Sequence, residues 1–324
     1  MLNPFSKADT ANAVSGPPSQ LDYGWDRTFQ FLALAGAWLI LILVGLILWK
    51  IGGQALPAMR DYGLSFITST TWDANKSQFG ILPQIWGTLY SSILALLIGG
   101  FFGIAVAVFL TQDFLPPSLA AVFRTIVELL AAIPSVVYGL WGIYVVIPAL
   151  RPLANGLHDS VGWIPFFSTS LSGPGMMPAA IVLAIMILPT IAAISQDALR
   201  LVPYKVKEAA YGMGTTHWEA ILKVMVPTAS AGIFGALVLG FGRALGETMA
   251  LAMLIGNSNQ ISLSLFSPAN TLASLLASSF PEAGQTEIKA LMYAAMVLLA
   301  ITLLVNVMGT AIMTYTSRKF EGKK

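Results

Sequence analysis

VKEAAYGMGTTHWEAILKVMVP, residues Val206 to Pro227, lies between two long apolar runs in the second half of the chain and is far more polar than either. Its residue types predict two short helices around a turn. Glu208, Ala209 and Ala210 favour helix, and the glycines at 212 and 214 interrupt it. A second helix is expected to begin near Thr215 or Thr216, because Thr216 and Glu219 have the spacing of a capping box. It should stop at Pro227, where the backbone loses a donor. Lys205, Lys207 and Lys223 rim the pair, as they would rim an amphipathic element lying along a membrane surface.

The rest of the chain argues for that membrane. Of its 324 residues 56% are hydrophobic and only 10% are charged, with a mean hydropathy of +0.76. Soluble domains carry about 25% charged residues. The net charge of +2 gives no footprint for nucleic acid. Cysteine is absent, which removes disulfides, thiolate metal sites and cysteine nucleophiles together. His158 and His217 are far apart in sequence, so no histidine-rich metal site is expected, and no cofactor. Residues 1–28 are polar and carry Pro4, Pro17 and Pro18, unlike a secretory signal. The first apolar run is long enough to be an uncleaved anchor.

Six segments can cross roughly 30 Å of hydrocarbon as helices: Phe29–Trp49, Thr88–Leu110, Thr125–Ile147, Pro178–Ser195, Gly232–Ile255 and Leu291–Tyr315. Pro134 and Pro189 fall inside the third and fourth. GGFFG, Gly99 to Gly103, should permit close helix approach in the second. With the N-terminus inside, the inner segments hold Lys7, Arg27, Arg200, Lys205, Lys207, Lys223, Arg318, Lys319, Lys323 and Lys324. The outer loops hold Lys50, Arg60, Lys76, Arg151 and Lys289. Ten against five places both termini in the cytoplasm. Gly52–Pro83 and Pro148–Met177 are then long outer loops of surface turns or interfacial segments, with Trp141 and Trp163 as outer-interface anchors.

The inner loop has a further pattern. Glu208-Ala209-Ala210 is followed by Gly214 and then by Val224, Val226 and Pro227. This order resembles the EAA loop of ABC importer permeases, with Val-x-Val-Pro where Ile-x-Leu-Pro is usual. ELLAAIPSVVYGLWG, Glu128 to Gly142, and GRALGETMA, Gly242 to Ala250, resemble the PstC-type permeases of phosphate-specific ABC transporters. The likeness runs from about Leu82 to the C-terminus. It implies an all-α integral membrane protein with six transmembrane helices, of the type I ABC importer permease (MetI-like) fold, in a bacterial inner membrane. It implies a cytoplasmic tail over 1–28, a first span with its periplasmic loop over 29–84, and a permease domain over 85–317. Within that domain 196–228 is the ATPase coupling loop, and 318–324 forms a second tail. The expected partners are membrane lipid, a PstA-type second permease, two copies of a PstB-type ATP-binding subunit and a PstS-type periplasmic phosphate-binding protein. The expected coupling residues are Glu208, Ala209, Ala210, Gly214 and Pro227. The sequence carries no G-x-x-x-x-G-K-[ST], so this chain has no P-loop for nucleotide, and it offers no nucleophile–base constellation.

GFGRALGETMALAMLIG, Gly240 to Gly256, puts Arg243 near the middle of the fifth apolar run. A lone arginine at that depth costs about 2.5–3.5 kcal/mol on insertion scales. Glu247, one helical turn on, is expected to share its face and pair with it. Two readings follow: a static ion pair between helices, or a fixed guanidinium on an anion path with Glu247 as its resting partner. Arg124 and Glu128 repeat the spacing at the start of the third run, with Arg124 able to snorkel. Ser135, after Pro134, offers a hydroxyl to a substrate or to the interrupted backbone. Arg243, Glu247, Glu128, Arg124 and Ser135 are therefore the candidate pathway residues.

Against a phosphate permease stand two alternatives. A proton-coupled secondary transporter would leave the coupling loop without purpose and shows no inverted repeat here. An ABC permease for another oxyanion, such as molybdate or sulfate, is disfavoured by the GRALGETMA and IPSVVYGL stretches.

Overall fold

Apolar runs in hydrocarbon must satisfy their backbone groups within the segment, so they become helices. The computed structural model describes residues 20–112 and 114–321. Residues 1–19 and 322–324 of the two expected tails lie outside the described residues, and Lys7, Lys323 and Lys324 with them. The chain divides into two units, up to Gly53 and from Gln54. The described part of the first unit is one apolar helical segment.

The helices are α1 (Gln20–Tyr62), α2 (Ser65–Thr68), α3 (Leu82–Thr111), α4 (Pro117–Ala132), α5 (Ser135–Trp141), α6 (Ile147–Val161) and α7 (Met176–Arg200). After the seventh come α8 (Tyr204–Gly212), α9 (His217–Glu219), α10 (Val226–Thr228), α11 (Ser230–Leu245), α12 (Met249–Leu254), α13 (Leu272–Ser279) and α14 (Gln285–Glu321). A π-helical turn, Gly142–Val146, joins α5 to α6, and another, Ala220–Met225, joins α9 to α10. Strands β1 (Trp72–Asp73) and β2 (Gln78–Phe79) form a small antiparallel hairpin, with Trp72 opposite Phe79.

Five helical runs are long and apolar enough to span a membrane, and a sixth exists if a bent pair is one span. Four of the expected spans lie inside α1, α3, α7 and α14. The other two are corrected. The third is broken at Pro134, and the span-length run is Ser135–Val161. The fifth is broken after Leu245, with Gly246–Thr248 between α11 and α12. The expected outer loops are also largely helical: α1 continues past Gly52 to Tyr62, and α6 occupies the loop after Pro148 as far as Val161. Trp141 accordingly lies within a helical run, and only Trp163 stands beyond its end.

The centre of the second unit is α7 against α3 and α11. A Cβ at Gly99 would stand 2.7 Å from the Ala184 carbonyl oxygen, so the backbones meet as GGFFG predicts. Ile187, Ile191, Leu254 and Ile255 fill this core, all fully buried. A second cluster joins the end of α1, the hairpin, α13 and α14, with Phe66 stacked on Tyr293 at 4.4 Å between centroids. A third, of Ala107, Leu199, Ile221, Met225 and Ile233, fixes the segment from α8 to α10 to the ends of α3, α7 and α11.

Candidate functional site at two helix breaks

Glu208-Ala209-Ala210 sits in α8 with divided duties. Glu208 and Ala209 face outward, whereas Ala210 is buried and its carbonyl accepts from the Met213 and Thr215 amides. Gly214 has φ +81°, a left-handed conformation that a Cβ would strain. Thr216 then caps α9: its Oγ1 accepts from the Glu219 amide at 3.3 Å, and Glu219 Oε2 accepts from the Thr216 amide at 3.1 Å. The box is the expected one. Lys223 donates to Glu219 Oε1 at 2.9 Å. That ammonium, followed by the Thr216 amide and hydroxyl, holds the Glu219 carboxyl down at about 2.

The second loop helix does not stop at Pro227 as expected. It runs one residue further, to Thr228, where the helix that began at His217 ends. Ala229 turns the chain by 70° into α11. Phe114 stacks on His217 at 5.0 Å and lies 5.2 Å from Trp218, tying the loop to the end of α3. Met213, beside the turn, is 85% exposed. The sequence reading missed it, because a methionine next to glycine carries no pattern of its own.

Arg243 occupies the last turn of α11, 13 residues from Ser230, or about 20 Å along the axis. It is exposed on this chain and makes no hydrogen bond or ion pair with another described residue. The expected Arg243–Glu247 pair is therefore not present. Its reason is local: α11 ends at Leu245, so Glu247 leaves the helical face that the four-residue spacing presumed. Glu247 Oε1 instead accepts from the Ala250 amide at 3.3 Å, and the carboxylate serves the start of α12. Thr248 Oγ1 donates to the Gly246 carbonyl at 3.1 Å across the same break.

The second break faces the first, since α5 packs against α12. Pro134 separates α4 from α5, and the Tyr138 hydroxyl donates to the Leu130 carbonyl at 2.8 Å. That bond supplies one of the partners a helix end in the membrane lacks. Ser135, expected as a candidate for this repair, makes no hydrogen bond with another described residue and is half-buried. Arg243 lies within electrostatic reach of Tyr138. Asn306 of α14 also stands here: a Cβ on Gly242 would come within 3.1 Å of its Oδ1. Tyr138 and Asn306 were legible only as a tyrosine four residues past a proline and as a lone amide in an apolar run.

Arg124 and Glu128 lie inside α4 rather than at the head of a continuous third span. They form no ion pair with each other, and no hydrogen bond links either to Arg243. They line a separate cleft against the final turns of α7.

Residues 100–322 match the family model for the binding-protein-dependent transport system inner membrane component. The chain is 39% identical over 286 residues to the phosphate transport system permease protein PstC of Mesorhizobium japonicum, covering 86% of this chain and 87% of the relative. It is 40% identical over 283 residues to the protein of the same name from Haemophilus influenzae, covering 86% and 90%. Among solved structures, a chain of a bacterial alginate ABC transporter in complex with its alginate-bound periplasmic protein superposes with TM-score 0.59. That match has 19% identity and covers 89% of this chain and 98% of the other. A chain of the inward-facing MetNI methionine ABC transporter gives 0.54 at 19% identity, covering 73% and 95%. These two show a shared fold.

Proposed function

We propose, for a chain that belongs to the binding-protein-dependent transport system inner membrane components, that it is the permease subunit through which inorganic phosphate is imported. It is a multi-pass inner-membrane protein of an ABC transporter and works with other subunits, which hydrolyse ATP. The PstC relatives support phosphate as its cargo. The observation that carries the mechanism is Arg243: a guanidinium at a junction of two broken helices, with no carboxylate among the described residues holding it. Discontinuous helices mark ion sites near the midplane of many transporters. Guanidinium matches phosphate oxygens with two parallel hydrogen bonds and keeps its charge at every physiological pH. Glu247 supports the start of α12, which leaves Arg243 open to an entering anion. Ser135, with an unused hydroxyl at the facing break, is a neutral donor on the same path, and Arg124 and Glu128 lie beyond it.

On this reading the partners are a PstA-type permease across the Arg243 face, two PstB-type ATPase subunits and a PstS-type phosphate-binding protein. Glu208, Ala209, Gly214 and the exposed Met213 form the surface that meets an ATPase. Ala210 and Pro227 hold that surface to the bundle. Both termini face the cytoplasm.

The test is uptake by vesicles containing this chain and its three partner proteins. ATP-driven uptake of phosphate that excess sulfate or molybdate does not inhibit is expected. Uptake of sulfate or molybdate in preference to phosphate would sink the cargo assignment.

A further inference from the structure

We infer that the cleft between α4 and the end of α7 is a second binding site for a small oxyanion, held between Arg124 and Arg200 and separate from Arg243. The cleft encloses about 290 Å³ and is lined by Arg124 and Glu128 of α4 and by Thr190, Gln196, Asp197 and Arg200 of α7. One water occupies about 30 Å³ of liquid. The space therefore takes a five-heavy-atom oxyanion with part of its hydration shell.

The polar groups point to an anion. Arg124 Nε is buried and has no hydrogen-bond partner. A buried donor is costly until an acceptor reaches it, and the Nε–Nη edge of guanidinium accommodates two oxygens of one anion. Across the cleft, Arg200 Nη1 stands 4.0 Å from Asp197 Oδ1, too far for a hydrogen bond, so its fork is not consumed. The Thr190 hydroxyl and the Gln196 amide add neutral donors. Glu128 and Asp197 balance the formal charge of the two arginines, which makes the site weak. A site on a conduit must also release what it binds. Glu128 can accept a hydrogen bond from a protonated oxyanion.

The same chemistry serves two sources. One is free phosphate that has passed Arg243, and the other is the phosphate headgroup of an anionic lipid. Among the described residues of α4 none is buried in this chain, so its open flank admits lipid. Only Leu201–Pro203 separates Arg200 from α8, so an occupant would bridge α4 to the entrance of the coupling loop. The inference rests on the function proposed above only for the identity of a free anion.

The chain has no cysteine, so Ala193→Cys, on the cleft wall, gives it a single thiol. The assembled transporter carrying it would be placed in vesicles of phosphatidylcholine, or of phosphatidylcholine with phosphatidylglycerol. Modification of residue 193 by a small maleimide is read by mass spectrometry, with inorganic phosphate or with chloride at equal ionic strength. Slowing by phosphate in neutral vesicles identifies the free anion; slowing by phosphatidylglycerol alone identifies the headgroup. Either protection should weaken roughly tenfold in Arg124→Gln and in Arg200→Gln, the loss expected for a charge-assisted hydrogen bond. With phosphate on both sides of the membrane, it should persist in Arg243→Gln. Arg124→Lys keeps the charge and guards against a folding defect, and intermediate protection is expected there. No protection from either source, or protection unchanged in both glutamine variants, overturns the site. Protection without ATP-driven phosphate uptake would count against the proposed function and leave the site standing; uptake without protection would do the reverse.

Discussion

Tyr138 donates its phenolic hydrogen to the carbonyl oxygen of Leu130 at 2.8 Å, eight residues back across the gap that Pro134 opens. One side chain thereby stabilises the break between α4 and α5. The Arg243 guanidinium also acts on it electrostatically.

Tyr138→Phe keeps the ring and removes that donor. Leaving a part-buried carbonyl unpaired costs about 1–3 kcal/mol. The assembled transporter should melt at a lower temperature and transport phosphate more slowly. Ser135→Ala, at a hydroxyl with no hydrogen-bond partner among the described residues, should change stability by no more than about 0.5 kcal/mol. Equal melting temperatures for Tyr138→Phe and the parent would remove Tyr138 from this role.

Arg243→Gln should abolish phosphate uptake while the complex still assembles, and Arg243→Lys should retain little because a point charge loses the fork. Glu247→Gln keeps an oxygen for the Ala250 amide and loses only its charge near a helix start, worth about 0.3–1 kcal/mol. Its complex should assemble normally, with any defect confined to transport. A loss of assembly of the size seen on breaking a buried ion pair, about 3–5 kcal/mol, would mean the two charges meet after all.

Gly212 and Gly214 are two residues apart, yet only Gly214 has positive φ, and neither has an atom within 4 Å of where a Cβ would sit. Gly214→Val therefore tests backbone conformation alone, at about 1–2 kcal/mol. We expect assembly to persist and phosphate uptake to be lost, whereas Gly212→Ala should transport normally. Identical behaviour of the two variants would show that the left-handed turn is dispensable.

Glu219 is bound in its charged form, so its folded-state value lies below the unfolded one. Its contribution is complete above the ordinary glutamate range near 4.5 and is lost as pH falls towards about 2. Amide protection at the start of α9 should be flat between neutral pH and about 5 and should decline below that. Thr216→Ala should cost about 1 kcal/mol at neutral pH, seen as faster exchange of the Glu219 amide. Protection that declines already between pH 7 and 6 would assign the cap to another group.

Local features were the legible ones. The capping box and the glycine interruption depend on neighbours in sequence, and both occur as their residues predict, with Gly214 the left-handed residue. The third and fifth spans were read as continuous because a run of apolar residues has the same mean hydropathy whether or not its helix is broken. Gly246-Glu247-Thr248 was visible, but its meaning depended on which acceptor the Ala250 amide would find. The segment after Pro148, expected as an outer loop, contains Pro152 and Gly156, residues typical of turns, yet it is helical to Val161. The partnership of Arg124 with Arg200 was hidden for another reason: their cleft exists only because α4 and α7 lie side by side.

The 70° corner at Ala229 makes α11 a rigid crank. One arm is the helix His217–Thr228, seated by Ile221 and Met225; the other is a rod of about 20 Å with Arg243 at its tip. A tilt of about 10° at the corner sweeps that tip by roughly 3 Å, more than the length of a hydrogen bond's tolerance. On the proposed function, ATP-driven movement of the loop would reach the anion as a displacement of Arg243, the one cation of α11, through a single continuous piece of backbone.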